Sequence, residues 1–233
     1  MLKMLLARLR QGHRTMRFPP PAPALPGRFH GRPILRREPG QLPVVDLGLS
    51  LFCPEEEQAS PARGLRFGPD YAMATRTRED LLTSTGEVKL AAALEDRSRR
   101  LFGRSLRLRS VSAGSCNGCE AELVALGNVV FDMARFGVEF VASPRHADGL
   151  VVTGAVSRNM REALEKTWSA MPDPRLVIAV GSCAISGGPF RGSPEVLDGV
   201  PAGLPVDLFI PGCPPHPLTI LDGMLRLLGR LES

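Results

Sequence analysis

Four cysteines in the second half of the chain occur in short motifs whose spacing suits metal binding. Cys116 and Cys119 form a CxxC pair within GSCNGCE, whereas Cys183 and Cys213 stand alone within GSCA and PGCPP. Each motif contains glycine or proline and follows an apolar run. Four thiolates brought to one place can bind a metal centre, and this set favours a [4Fe-4S] cluster.

Two other interpretations of these cysteines remain open. A structural zinc site usually combines two CxxC pairs, whereas this chain has one pair and two single cysteines. Cysteines that only fill a core behave as small hydrophobic residues, and there is no reason for all of these to fall in glycine- or proline-containing loops. Iron–sulfur binding is the favoured chemistry.

The elements that must position these cysteines follow an alternating pattern from about residue 106 onwards. Strand-like apolar runs are predicted at 106–112, 138–142, 149–153, 176–180 and 206–210. Helical spacing is predicted at 121–136, 158–171 and 218–231. Such alternation predicts an α/β fold, a flavodoxin-like parallel sheet with helices on both faces.

The predicted topology explains how the cysteines can meet. Functional sites of open parallel sheets form at the carboxyl ends of the strands. Three predicted strands lead directly into the three cysteine motifs. We therefore expect all four thiols at one edge of the sheet, in turns whose glycines leave backbone N–H groups free to point inward.

The three motifs resemble those of the small, cluster-bearing subunit of group 4 membrane-bound [NiFe] hydrogenases and formate hydrogenlyase-type complexes. That subunit is related to the B subunit of respiratory complex I. The resemblance covers about residues 104–231, and it implies that the four cysteines hold the [4Fe-4S] cluster nearest the active site of a large subunit. Complex I homologues have two adjacent cysteines at the first position. The spaced pair Cys116 and Cys119 is similar to the hydrogenases.

The resemblance implies an electron-transfer subunit of a membrane-associated oxidoreductase, not active alone. Its expected partners are a hydrogenase-like large subunit, which alone would hold the Ni–Fe site, and ferredoxin-like and membrane subunits. One alternative is a complex I-like quinone or membrane-coupled oxidoreductase without hydrogen chemistry. Another is a scaffold subunit with a structural cluster.

Two further residues near the motifs draw attention. Glu122 matches an acid of the family shortly after the CxxC pair, and the resemblance implies a place near the large subunit and a role on a proton path. Alternatively, Glu120 and Glu122 only favour the N-terminus of the following helix. His216 is expected to be a loop residue that hydrogen-bonds the backbone.

Residues 41–85 carry a second resemblance, to the ferredoxin-like subunit of formate hydrogenlyase-type complexes, but most of the cluster ligands are missing here. A bacterial ferredoxin half-site reads C-x2-C-x2-C-x3-C-P. In that register the ligand positions are Ser50, Cys53, Glu56 and Ser60, followed by Pro61. We expect no cluster there, and a chance match is the alternative. The predicted division is an arm at 1–40, this segment at 41–90, and the cluster-binding domain at 91–233.

The N-terminal arm is strongly basic. Residues 1–40 hold nine Lys or Arg and one acid, whereas the remainder holds 20 basic and 23 acidic residues. The spacing of apolar residues within 1–17 predicts an amphipathic helix. This helix either stays solvated or docks on a partner subunit or a membrane. The proline-rich residues 18–40 predict an extended strap, and residues 87–102 predict another helix.

Composition excludes several function classes. One Trp, one Tyr and a body without a basic-aromatic face argue against nucleic-acid binding. An odd number of cysteines argues against a secreted disulfide framework, and no apolar stretch approaches the ~18 residues of a membrane span. We expect a cytoplasmic protein, held peripherally on the inner membrane through its partner subunits.

Overall fold

The computed structural model describes residues 2–12, 14–19, 25–35, 44–59, 64–95, 102 and 105–231. The helices within them are α1 (Leu2–Gln11), α2 (Pro54–Ala59), α3 (Gly118–Ala125), α4 (Arg158–Ser169), α5 (Ser182–Ser186) and α6 (Pro217–Leu227). The strands are β1 (Pro33–Leu35), β2 (Val45–Asp46), β3 (Leu65–Phe67), β4 (Leu82–Thr83), β5 (Leu106–Ser112), β6 (Val138–Phe140), β7 (Gly149–Thr153), β8 (Leu176–Val180) and β9 (Leu208–Ile210).

Five parallel strands form the central sheet in the spatial order β6-β5-β7-β8-β9. Strands β7 and β8 are buried along their whole length, which explains why β8 is a continuous apolar run and why Thr153 is the one polar residue of β7. Counted along the chain, the order is 2-1-3-4-5, as in flavodoxin-like folds. The predicted fold class is confirmed.

Helices cover both faces of this sheet. On one face, Leu123 of α3 and Met224 of α6 share a core with Ile178 of β8. On the other face, Leu164 of α4 packs in a second core with Val152 of β7. The sheet is therefore held between two apolar layers, and its strand ends are the natural place for a site.

Four strands end in register at the carboxyl edge. Ser112 lies opposite Thr153, Thr153 opposite Val180, and Val180 opposite Ile210. The segments that leave these strands therefore emerge side by side. Three of these segments carry the cysteine motifs.

A smaller layer, which contains β1 to β4, lies beside the last strand of the sheet. β1 pairs with β3 and β2 with β4, both antiparallel. Thr75 exchanges two backbone hydrogen bonds with Phe209 of β9, at 3.0 and 2.9 Å, so the layer covers an edge that would otherwise be open. The domain boundaries at residues 40 and 90 remain predictions.

The helix predicted over 87–102 was wrong in residues 87–95, which are not helical. The N–H of Ala91 donates to the carbonyl of Ala74 at 2.8 Å, and that of Leu94 to the carbonyl of Leu227 at 2.9 Å. These long-range hydrogen bonds replace the local bonds that a helix would make. Apart from residue 102, the rest of that prediction lies outside the described residues.

The helix predicted over 121–136 ends early, because α3 stops at Ala125. The side-chain oxygen of Asn128 accepts the N–H groups of Val130 and Phe131, at 2.8 and 3.1 Å. Such bonds stabilise a turn in place of a helix. The other predicted strands and helices of this domain are present, with ends that differ by four residues or fewer.

The N-terminal predictions are only partly matched. The helix predicted over 1–17 ends at Gln11. Of the strap predicted over 18–40, residues 18–19 and 25–35 are described and contain no helix.

Candidate metal centre

The first cysteine motif connects β5 to α3. Gly114 has a φ of +90° and Asn117 a φ of +72°, two left-handed conformations that turn the chain sharply. Cys119 lies in the first turn of α3 and is buried, whereas Cys116 in the loop is exposed. One thiol of the pair is thus enclosed by the protein, and the other lies at its surface.

The second motif follows β8 directly, and its Cys183 is buried in α5. Gly181 has a φ of +87°, and a Cβ atom there would lie 2.5 Å from Sγ of Cys119. A Cβ atom at Gly188 would lie 2.8 Å from Sγ of Cys183. Both glycines therefore pack directly against buried sulfur atoms, where no side chain fits.

The third motif follows β9 and contacts both of the others. The carbonyl of Gly212 accepts hydrogen bonds from Ser182, from its N–H at 2.9 Å and its hydroxyl at 3.2 Å. A Cβ atom at Gly118 would lie 3.5 Å from Sγ of Cys116 and 3.6 Å from Cβ of Pro214. The three cysteine loops therefore meet at one place, with Cys213 half-buried between them.

Burial raises the pKa of three of the four thiols. The pKa of Cys183 rises to about 11, and the pKa values of Cys119 and Cys213 are also raised. After burial, the charges of Glu120 and of the other three cysteines raise the pKa of Cys119 further. The thiols are close enough to oppose one another's ionisation, so a cation is needed before all four can be thiolates at neutral pH.

This donor set fits an iron–sulfur cluster. All four cysteines are free of disulfides, and iron supplies the positive charge that buried thiolates need. Among the described residues, no three Cys, His, Asp or Glu side chains are grouped so as to hold a single metal ion. A cubane cluster does not need such a group, because its four thiolates bind four different irons.

Glu120, next to Cys119, is held by side-chain hydrogen bonds that its position at the start of a helix did not predict. One carboxylate oxygen accepts the hydroxyl of Ser115 at 2.6 Å and also that of Thr153. The other oxygen is buried and has no hydrogen-bond partner in the described part of the chain. Burial alone would raise the pKa of Glu120, but the hydrogen bonds from Ser115 and Thr153 lower it overall.

Glu122 and His216 border an open cavity of about 670 Å³ beside Cys213. Burial raises the pKa of Glu122 and lowers that of His216. Nδ1 of His216 accepts the N–H of Leu218 at 3.1 Å and thereby caps α6. This is the backbone role predicted for His216, whereas a proton path through Glu122 stays a prediction.

Cys53 borders the same cavity as Cys213. Its charge raises the pKa of Cys213, after the larger effects of burial and of Cys116. The fifth cysteine, remote in sequence, is therefore a neighbour of the four-thiol site. No signal in the sequence indicated this proximity, because it depends on how the N-terminal segment packs.

The loop that carries Cys53 is held by residues at the predicted ferredoxin ligand positions. The hydroxyl of Ser50 donates to the carboxylate of Glu56 at 2.6 Å, and Glu56 also accepts the N–H of Leu51 at 2.5 Å. The hydroxyl of Ser182 donates to the carbonyl of Ser50 at 2.6 Å, which joins this loop to the second cysteine motif. The fourth predicted position, Ser60, lies outside the described residues.

The fold and the site define a class of protein, a flavodoxin-like domain with four free cysteines gathered at the carboxyl edge of its sheet. Residues 116–227 match the family described as NADH ubiquinone oxidoreductase, 20 Kd subunit. The probable membrane-bound hydrogenase subunit mbhJ of Pyrococcus furiosus is 43% identical over 134 residues, which cover 58% of this chain and 80% of that protein. The chain belongs to this family.

Two further comparisons agree with the resemblance predicted for residues 104–231, which is confirmed. Formate hydrogenlyase subunit 7 of Escherichia coli K12 is 46% identical over 130 residues, 56% of this chain and 51% of that protein. The chain thus spans about half the length of that relative. A chain of the membrane-bound sulfane sulfur reductase, an archaeal respiratory membrane complex, is 31% identical with a TM-score of 0.51, and the match covers 58% of this chain and 75% of that chain.

Proposed function

We propose that one [4Fe-4S] cluster is bound at the carboxyl edge of the sheet by Cys116, Cys119, Cys183 and Cys213. The observation that carries this proposal is the aligned ends of β5, β8 and β9, from which three mutually contacting cysteine loops emerge. When bound, the cluster supplies one-electron transfer. Gly181 and Gly188 leave room for the ligand sulfurs.

The chain acts as an electron-transfer subunit of a multi-subunit oxidoreductase and is not active alone. Its partner is a hydrogenase-like large subunit, and any Ni–Fe site belongs to that partner. Cys116 and Pro214 are exposed at the four-thiol site, so a partner can approach the cluster closely. The names of two relatives, a membrane-bound hydrogenase subunit and a formate hydrogenlyase subunit, support this assignment.

Membrane association comes through the rest of the complex, which includes ferredoxin-like and membrane subunits. None of the helices in the described residues is long and apolar enough to cross a membrane. The solved relative comes from a respiratory membrane complex, which supports a place for this chain in a complex of that kind. Within that complex the chain lies peripherally, on the cytoplasmic face. Residues 41–90 provide a docking surface without a cluster of their own.

Glu122 takes part in proton transfer near the interface with the large subunit. Its half-buried carboxyl borders the open cavity next to Cys213. A carboxyl whose pKa is raised by burial holds and releases a proton closer to neutral pH than an ordinary one.

The test is metal analysis and activity of the assembled complex, purified through a tag on this chain. A hydrogenase partner predicts nickel in the complex and hydrogen-dependent reduction of a viologen dye. A complex without nickel that reduces a quinone would replace this assignment with a complex I-like one.

A quinone-coupled oxidoreductase without hydrogen chemistry is the second candidate, because the matched family carries the NADH ubiquinone oxidoreductase description. The CxxC spacing of Cys116 and Cys119 favours the hydrogenase. A scaffold role is the third candidate. It predicts a cluster that cannot be reduced and reoxidised reversibly, which electron paramagnetic resonance of the complex detects.

A further inference from the structure

Helix α1 has an apolar stripe that no other part of the described chain buries. It has no buried residue. At 100° per residue, Leu2, Leu5, Leu6 and Leu9 fall within about 100° of the helix circumference, and all four are exposed. Met4 lies on the other side of the helix. A stripe of leucines in water is unfavourable, so it needs an apolar surface against which to pack.

The charges of α1 indicate the nature of that surface. Lys3 and Arg10 flank the leucine stripe on one side, and Arg8 flanks it on the other. No acidic residue occurs before Glu38. Long basic side chains on both flanks of an apolar stripe suit a helix lying in a bilayer interface, where their charges reach the lipid headgroups.

The length of α1 supports the same conclusion. An isolated helix shorter than about 12–15 residues is marginal in water. Because α1 has only ten residues, it needs a surface to stabilise it.

The C-terminal end of α1 borders an open groove with the loop at 127–132, where Val129 is also exposed. A protein partner could also supply an apolar face. However, every charged side chain of α1 is basic, and such a helix is complementary to a dense array of anions.

We propose that α1 lies flat in the headgroup region of an anionic bilayer, with its four leucines inserted and its cations bound to lipid phosphates. This contact is direct and does not depend on the cluster. It adds a lipid attachment of this chain's own to the attachment that partner subunits provide.

The test is vesicle flotation of the full chain, loaded with its cluster and tagged away from α1. One set of vesicles contains phosphatidylcholine alone, and the other contains phosphatidylcholine mixed with phosphatidylglycerol. We expect binding to the anionic vesicles, weaker binding to the neutral ones, and loss of binding at high salt. Leu9→Glu should weaken binding to anionic vesicles roughly tenfold to a hundredfold, because it removes a leucine from the stripe.

Met4→Glu is the matched control. Met4 and Leu9 are each 76% exposed, and both substitutions add one negative charge, but only Leu9 belongs to the stripe. Met4→Glu should weaken binding by no more than about fivefold. Iron content should equal that of the unmodified chain in both variants, which separates this test from that of the cluster.

Three results would overturn the proposal. The first is no binding of the full chain to anionic vesicles. The second is an equal loss in the Leu9→Glu and Met4→Glu variants. The third is unchanged vesicle binding by Leu9→Glu together with release of the chain from its complex, which would show that α1 docks on protein.

Discussion

Gly181 illustrates how a single glycine can determine whether the proposed cluster site forms. It joins β8 to the second cysteine loop with a φ of +87°, and the space where its Cβ would lie is taken by Sγ of Cys119. Any other residue would strain the backbone and displace a proposed ligand.

Gly181→Ala is therefore expected to lose most of its iron and to lower the free energy of unfolding by about 1–3 kcal/mol. Iron analysis and urea unfolding measure the two effects. Gly203→Ala is the control, because Gly203 has no positive φ and a Cβ there meets nothing within 4 Å. Full iron content in Gly181→Ala would show that Cys119 is not a ligand in the observed position.

Cys53→Ser should leave the iron content unchanged. Cys53 neighbours Cys213, but Ser50 and Glu56, two of the other ferredoxin positions, bond to each other and to the backbone. Any reproducible loss of iron in this variant would contradict the assignment of the cluster to the other four cysteines. A loss of about four irons would reveal a second cluster.

The four cysteines could be selected from the sequence because their loop motifs and spacing are local features. The hydrogen bonds that hold Glu120 could not, because the hydroxyl of Thr153 reaches Glu120 in α3 from the end of β7, 33 residues away. Contacts of this kind depend on sheet register, which a single sequence does not specify locally.

At the scale of elements, the parallel strands were predictable from their apolar runs, and their order places the site. The errors fell on helices. Residues 87–95 were predicted to be part of a helix, but the N–H groups of Ala91 and Leu94 donate to the carbonyls of Ala74 and Leu227 instead. Tertiary hydrogen bonds thus outweighed a weak local propensity.

Strands β8 and β9 are joined near their first residues by Asp207. Its carboxylate accepts the N–H of Val177 at 2.9 Å, and its own N–H donates to the carbonyl of Val177 at 2.8 Å. Burial raises the pKa of Asp207, against the lowering effects of that hydrogen bond and of Arg76. The ionised carboxyl is therefore less favourable in the folded chain than in the unfolded one.

The resulting pH dependence has a definite sign. Between the ordinary aspartate pKa of about 3.9 and the raised value, the folded chain binds more protons than the unfolded chain, so this group's contribution to stability falls as pH rises. Asp207→Asn cannot titrate. The unfolding free energy of Asp207→Asn minus that of the unmodified chain should therefore increase with pH across this window. Above the window the difference should stay constant. Denaturant unfolding at several pH values measures this, and a difference independent of pH would contradict it.

At the scale of the whole molecule, the site is assembled from two distant parts of the chain. The hydroxyl of Ser182 donates to the carbonyl of Ser50, and that of Ser186 to the carbonyl of Gly48 at 2.5 Å. The small N-terminal layer is thus bonded to the loop that carries Cys183. The sequence predicted both parts separately, but not their contact, which spans more than 130 residues.

The central claim is that four cysteines hold one [4Fe-4S] cluster. The most direct test combines iron and sulfide analysis with electron paramagnetic resonance of the reduced full chain. The same measurements on Cys183→Ala provide the comparison. The account predicts about four irons and four sulfides per chain and a resonance that appears on reduction and disappears on reoxidation. Cys183→Ala should lose both the iron and the resonance. Full iron content and an unchanged resonance in Cys183→Ala, or zinc in place of iron in the unmodified chain, would contradict it.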